Sequence, residues 1–281
     1  MTRDGDFELV TLRNGARAVR HLGHGEVMHP SVGPWREANL LYVEQTRLAE
    51  RLADLGAAPL RIYDVGLGAG ANAVAALACA AETPSKARRR LEIVSFEVDL
   101  APLRLALSDE AGFGYLAPWR EAAQTLMRER RFQGDGVEWT LELGDALEGL
   151  GKAPRPADLV FFDPFSPEKN PRLWTRPALA EVRAACRDDG SGALLVTYSA
   201  STRVRTALLL TGFFVGAGRA VGTKQETTVA STRLDALERP LGPEWLDRWR
   251  RSTAKAPPGE EATDGLEAAL AAHPQFASLR R

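Results

Sequence analysis

The chain of 281 residues holds only two cysteines, has almost no net charge and contains no long apolar run. Each shortage excludes something. Cys79 and Cys186 sit apart among alanines in helical-looking segments, outside any metal-ligand or redox spacing. They read as small core residues in a reducing cytoplasm, which argues against a disulfide scaffold or a cysteine metal site. No stretch approaches the roughly 20 apolar residues of a membrane span, and Met1 to Asp6 lack the apolar run of a signal peptide. The expectation is a cytoplasmic protein with neither membrane nor metal as partner. A formal net charge of -1 leaves no global basic field, so a polyanion would have to be held by local patches. Arg88-Arg89-Arg90, Arg128 with Arg130-Arg131, and Arg248 with Arg250-Arg251 are such patches, although a lone charge run is more often a solvated face.

What is present is a globular α/β pattern, with 44% apolar and 26% charged residues and no internal repeat. Phe7 to Thr11 and Ala16 to His21 flank Asn14-Gly15, which predicts an opening β-hairpin. Apolar spacing predicts one helix from Pro34 to Leu55, preceded by His29-Pro30-Ser31-Val32-Gly33, a segment that either folds over a ligand or merely connects. The main domain opens with a strand at Leu60 to Val65 and a helix at Ala71 to Ala81. Further strands are expected at Leu91 to Phe96, Val137 to Leu143, Leu159 to Phe162, Ala193 to Tyr198, Phe213 to Val215 and Thr227 to Ser231. Helices between them, including an Arg-rich one from about Pro118 to Arg131, require crossover connections and a mainly parallel seven-stranded sheet covered on both faces. The expected organisation is an N-terminal hairpin-and-helix extension over 1–58, a Rossmann-like domain over 59–235, and a partly helical C-terminal extension over 236–281 with a linker at Ala256 to Asp264.

The stretch that organises the chain is Leu159-Val160-Phe161-Phe162-Asp163-Pro164-Phe165-Ser166-Pro167-Glu168-Lys169-Asn170-Pro171. Four apolar residues read as a buried strand that delivers a carboxylate to a point where prolines force the backbone out of regular structure. Open α/β sheets keep their chemistry at such strand ends. Asp163, Phe165, Lys169 and Asn170 then make a rim of one acid, one aromatic and two donors that could hold a small polar group, with Asp163 the candidate for the chemistry and Lys169 and Lys224 candidate phosphate contacts; the competing reading makes Asp163 a helix cap and the prolines mere stops to the strand. Trp174 reads as core.

A second strand end carries Asp64-Val65-Gly66-Leu67-Gly68-Ala69-Gly70 and then Asn72. Glycines there let the backbone turn tightly and approach a ligand closely, and the next helix offers free N–H groups. An acid just before the glycines would repel a pyrophosphate, which favours a cationic ligand. Glu97 closes the next strand, where it suits ribose hydroxyls, and Asp145 closes the third, where it could take an adenine amine. Three acids at three strand ends favour a phosphate-free sulfonium donor, S-adenosylmethionine; the competing reading makes each acid a helix cap or turn residue.

Asp163-Pro164-Phe165-Ser166-Pro167-Glu168-Lys169-Asn170-Pro171-Arg172-Leu173-Trp174-Thr175 resembles the D-G-F-A-P-x-K-N-P-x-M-W-T motif of the methyltransferase domain of the bacterial MnmC tRNA wobble-uridine modification enzymes and their stand-alone relatives. The similarity takes in Gly33 to Leu48, Asp64 to Asn72, Glu97, Gly144-Asp145, Gly212-Phe213 and, more weakly, Gly222 to Glu226. It implies a class I S-adenosylmethionine-dependent methyltransferase that methylates the aminomethyl nitrogen on carbon 5 of the wobble uridine in tRNA. By motif position, it also implies Asp163 as catalytic acid and Asp64, Gly66, Gly68, Gly70, Asn72, Glu97 and Asp145 as cofactor contacts. Pro164 departs from the motif's glycine and leaves the identity of the amine open. No flavin oxidase domain lies in these residues, so the expectation is a stand-alone methyltransferase whose upstream chemistry another protein supplies. The alternatives are a methyltransferase of a small-molecule or protein amine, a polyamine-type aminopropyltransferase, and a non-catalytic binding module. The intact Asp163 loop argues against the last.

Overall fold

The computed structural model describes residues 2–29, 32–56, 58–153, 155–190, 192–222 and 225–277. Four short strands, β1 (Arg3–Asp4), β2 (Phe7–Thr11), β3 (Arg17–His21) and β4 (Glu26–Val27), form a small antiparallel sheet in chain order. The expected hairpin is its centre. Its turn is wider than an Asn-Gly pair needs: Leu12 N–H donates to the Ala16 carbonyl at 2.8 Å, and only Gly15 takes a positive φ, 84°.

The helix expected from Pro34 to Leu55 is broken into pieces. Helix α1 (Pro34–Ala38) runs into a π-helical stretch over Asn39–Glu44, and α2 (Leu48–Ala53) begins after Arg47 turns left-handed at φ 53°. Thr46 explains part of the break, because its hydroxyl donates back to the Tyr42 carbonyl at 2.6 Å and competes with the helix ladder. The π stretch buries Leu41 and Tyr42.

The main sheet contains β5 (Leu60–Val65), β6 (Leu91–Glu97), β7 (Arg131–Gly134), β8 (Val137–Leu143), β9 (Leu159–Phe162), β10 (Leu194–Thr197), β11 (Phe214–Ala217) and β12 (Thr228–Ser231). Their order is β11-β12-β10-β9-β5-β6-β8-β7. The five central strands are parallel, and β7, β12 and β11 are joined antiparallel. Strand β7 is an addition to the seven expected strands. Asp135 and Gly136, at φ 44° and 70°, form a two-residue hairpin turn, so the end of the Arg-rich segment pairs with β8 instead of extending the helix.

The connecting helices are α3 (Ala71–Ala81), α4 (Ala101–Ser108), α5 (Arg120–Glu129), α6 (Ala146–Lys152), α7 (Pro171–Trp174), α8 (Arg176–Ala184) and α9 (Thr202–Leu210). They divide the core between the two sheet faces. Leu77, Leu103, Leu126 and Trp139 pack with Ile62 and Phe161 on one face; Trp174, Val182 and Leu208 pack with Tyr63 and Phe162 on the other. Burying one such Phe is worth about 1.5–3 kcal/mol. The C-terminal α10 (Pro243–Arg251), α11 (Leu266–Ala272) and α12 (Pro274–Ala277) add Trp245, Trp249 and Phe276 to the second face. Gln275 bonds both backbone groups of Val215 at 2.7 Å, which covers the β11 edge. The expected linker is irregular: Ala256 to Pro258 are buried, with the Arg203 guanidinium donating to the Ala256 carbonyl at 2.8 Å, while Glu261 to Asp264 are exposed. No helix among the described residues is long and apolar enough to cross a membrane.

Candidate active site

From β5 the chain moves outward through β6 to β8, then returns to the other side of β5 as β9. The carboxyl ends of β5 and β9 therefore meet at a topological switch point, where open α/β sheets bind ligands. A cavity of about 1040 Å³ opens there, lined by the ends of β5, β6, β8 and β9 and roofed by residues 21–29 of the N-terminal sheet. Among the described residues, seven carboxylates line it against Lys169, Arg172 and the His29 imidazole; of the three strand-end acids expected there, Glu97 and Asp145 are among the seven and Asp64 is not.

Asp163 stands on the cavity wall at the end of β9. Its Oδ2 accepts from Asn72 Nδ2 at 2.8 Å, and its own N–H donates to the Val65 carbonyl at 2.9 Å. Burial pushes the carboxyl up to about 6; nearby Glu37 adds to the rise, while His29 and the Asn72 amide oppose it. His29 Nε2 lies 3.7 Å from Asp163 Oδ2, and its Nδ1 lies 3.5 Å from Glu37 Oε1. Burial alone would discharge that imidazole, but the Asp163 and Glu37 carboxylates outweigh it and raise His29 to about 9. The Tyr42 hydroxyl is buried beside the same carboxylate; burial, and then the Asp163 charge, raise it well above the ordinary tyrosine range, so it keeps its proton.

The glycine turn has a steric cause. A Cβ on Gly66 would stand 2.7 Å from the Asp163 carbonyl oxygen, and one on Gly68 would stand 3.3 Å from Met28 Sδ. Gly66 and Gly68 line the cavity, whereas Gly70 faces away, toward Leu103 and Leu116, as the residue capping α3. Glu97 lines it as well, with Oε2 accepting from Gly68 N–H at 2.8 Å and Oε1 from Val98 N–H at 2.7 Å.

Two acids are placed differently from the direct contacts expected of them. Asp64 points to the sheet face that carries Leu60 and Ile62, where it is fully buried, and it is not among the cavity-lining residues. Its Oδ2 accepts from Ser95 Oγ at 2.7 Å, Ser95 in turn accepts from Trp139 Nε1 at 2.9 Å, and burial pushes Asp64 up to about 8. Asn72 likewise acts from behind, through Asp163. Asp145 lies on the wall but caps α6, its Oδ1 accepting from Leu147 N–H at 2.9 Å, while Arg172 pairs with its Oδ2. The helix-cap reading therefore holds for Asp145, and Asp-x-x-Glu at Asp145 to Glu148 was the available signal.

Phe165, Lys169 and Asn170 all line the cavity, as the loop reading required. The Phe165 ring meets His21 edge-on with centroids 5.4 Å apart. Lys224 lies outside the described residues. Trp174 is core: it is fully buried, and its Nε1 donates to the Phe165 carbonyl at 2.8 Å. The sequence reading missed Glu37, Tyr42 and Tyr198, whose hydroxyl donates to the Pro164 carbonyl at 3.1 Å. It also missed the latch by which Ser166 Oγ donates to Glu26 Oε2 at 2.8 Å, tying the motif loop to the roof.

Residues 114–233 match the family model described as S-adenosyl-L-methionine-dependent methyltransferase. The chain is 35% identical over 218 residues to the tRNA 5-methylaminomethyl-2-thiouridine biosynthesis bifunctional protein MnmC of Pseudomonas aeruginosa strain UCBPP-PA14, covering 74% of this chain and 31% of that protein. It is 27% identical over 229 residues to an uncharacterized protein of Methanocaldococcus jannaschii, covering 79% of this chain and 58% of the other. Among solved structures, MNMC2 from Aquifex aeolicus superposes with a TM-score of 0.72 at 28% identity, covering 95% of this chain and 84% of that one. The fold and the site thus define a class I S-adenosyl-L-methionine-dependent methyltransferase. Within that class the chain belongs to the MnmC-like methyltransferase family, and it spans about 31% of the length of the MnmC relative.

Proposed function

We propose that this chain methylates the aminomethyl nitrogen on carbon 5 of a wobble uridine in tRNA. The position of Asp163 carries the reading: a carboxylate at the switch point, oriented by Asn72, on the wall of a cavity large enough for a cofactor and a nucleoside. The name of the bifunctional MnmC relative, which includes 5-methylaminomethyl-2-thiouridine, supports the choice of amine.

The residues present fit S-adenosyl-L-methionine. The Gly66–Gly68 turn is a cradle that side chains would fill, and Glu97 lines the cavity at the end of β6, its Oε2 held by the Gly68 N–H of that turn. Glu97 would take the ribose hydroxyls. Asp145 would reach an adenine amine only once Arg172 releases its Oδ2, and Asp64, Gly70 and Asn72 hold the turn and the acid from behind. When bound, the cofactor supplies a methyl on positively charged sulfur, open to in-line attack by a nitrogen lone pair. Asp163 accepts one amine N–H, aims the lone pair, and takes the proton as charge develops on nitrogen. Phe165 walls the base, and Lys169 and Asn170 sit at the rim where phosphate would pass.

The test is methyl transfer to tRNA from cells lacking the modification, using isotope-labelled S-adenosyl-L-methionine and nucleoside mass analysis. One labelled methyl on the aminomethyl uridine is expected. Label on a small amine or a protein lysine, with none on tRNA, would instead support the second reading, which Pro164 favours.

A further inference from the structure

We infer that His29, held by Glu37, is a positioning residue of the transfer that keeps the Asp163 carboxylate ionised and aimed into the cavity. The inference rests on reading Asp163 as the acid that receives the amine proton. Three segments distant in sequence converge here: the β4–α1 connection brings His29, α1 brings Glu37, and the end of β9 brings Asp163. The His29 ring bridges the two carboxylates at 3.5 and 3.7 Å. Its side chain is 11% exposed, that of Glu37 11% and that of Asp163 9%, so bulk water screens the trio little. His29 also takes a left-handed backbone, φ 52°, which a residue with a side chain adopts at a cost that the surrounding structure must cover.

The groups facing Asp163 from the elements around it are Tyr42 from the π stretch, Asn72 from α3, Asp64 from β5, Glu37 from α1 and Tyr198 after β10. None of these carries positive charge; His29 does. Without it, burial and the neighbouring carboxyls would leave Asp163 protonated near neutrality and unable to accept the amine proton. With it, Asp163 is ionised above about 6 and His29 stays charged to about 9. The same cation removes a difficulty of the mechanism. A bare carboxylate would hold the substrate as an ammonium ion, and the imidazolium weakens that pull, so the nitrogen lone pair is available.

The experiment follows the Asp163 carboxyl directly, by NMR titration of the cofactor-free full chain labelled with ¹³C at aspartate carboxyls, the Asp163 signal being the one lost in Asp163→Asn. The wild-type midpoint is expected near 6, and His29→Gln should raise it by about 1–3 pH units. In methyl-transfer assays the ratio of rates at pH 9 and pH 7 should rise in His29→Gln relative to wild type, because the Asp163 carboxyl and the bound ammonium ion would then both lose their protons at higher pH. An unmoved Asp163 midpoint in folded His29→Gln overturns the inference. Should that variant not fold, Glu37→Gln serves: the His29 ring should titrate below about 9, and an unchanged ring midpoint overturns the clamp. Full turnover in Asp163→Asn would sink the prior reading of Asp163 while leaving the titrations standing, so the two failures are distinguishable.

Discussion

Replacing Gly66 by alanine probes the close approach that joins the glycine turn to the acid. The added Cβ falls 2.7 Å from the Asp163 carbonyl oxygen, 3.1 Å from its carbon and 3.3 Å from the Pro164 nitrogen. All three are backbone atoms, so no side chain can swing away. Gly66 also sits at φ 92°, outside the region comfortable for alanine. The backbone conformation costs about 1–3 kcal/mol, and forcing the extra carbon against fixed backbone adds about 1–3 kcal/mol. The sum of about 2–6 kcal/mol is a large part of a net stability of about 5–15 kcal/mol. Gly212 supplies the control, because its φ is 86° and nothing lies within 4 Å of where an added methyl would stand. Gly212→Ala should lose only the backbone share, about 1–3 kcal/mol. Urea unfolding followed by tryptophan fluorescence measures both, and turnover should fall in Gly66→Ala because the Asp163 main chain is pushed aside. Equal stability losses in the two variants, with full turnover in Gly66→Ala, would refute the reasoning.

Two further predictions concern the groups around the site. Asp64 is raised by burial to about 8 from 3.8, so the folded state binds its proton where the unfolded chain has released it; the group's contribution to stability therefore falls as pH rises from about 4 to about 8. Asp64→Asn should keep the Ser95 hydrogen bond and flatten that decline, which urea unfolding at pH 5 and pH 8 would reveal; an unchanged slope would contradict it. Ser166→Ala removes the hydroxyl that donates to Glu26. Its loss should cost about 1.5–3 kcal/mol, as for a hydrogen bond to a charged group, and hydrogen exchange should speed up over residues 21–29; unchanged exchange there would dissociate the roof from the motif loop.

Much of the scaffold was legible because the central strands are short segments rich in apolar residues, continuous in β9 and alternating in β8, each ending on or followed by glycine or a polar residue. Leu60 to Val65, Val137 to Leu143 and Leu159 to Phe162 fall where the pattern put them. Asp163, Glu97 and the first two glycines reach the cavity for the same local reason. Asp64 was not legible: all six residues of β5 are buried, so no alternation told which face its side chain takes, and its partner Ser95 is set by the register with β6. Glu37 and Tyr42 were hidden because their roles depend on an N-terminal extension folding over a sheet edge more than a hundred residues away in the chain; the His29 segment was legible only as one that covers a ligand or merely connects. The β7 hairpin did carry a signal, Asp135-Gly136, masked by the helical periodicity of the arginine-rich segment before it. Arg88 shows the limit of charge runs as evidence for polyanion binding, since it is buried and donates to the Asp135 carbonyl at 2.7 Å.

The most direct measurement is of Asp163→Asn, in which methyl-transfer rate and cofactor affinity are determined on the same folded protein. If Asp163 receives the amine proton, turnover should fall by about 10²–10⁴-fold, while S-adenosyl-L-methionine binds within a few fold of wild type. Undiminished turnover, or cofactor affinity lost in step with activity, would contradict the account.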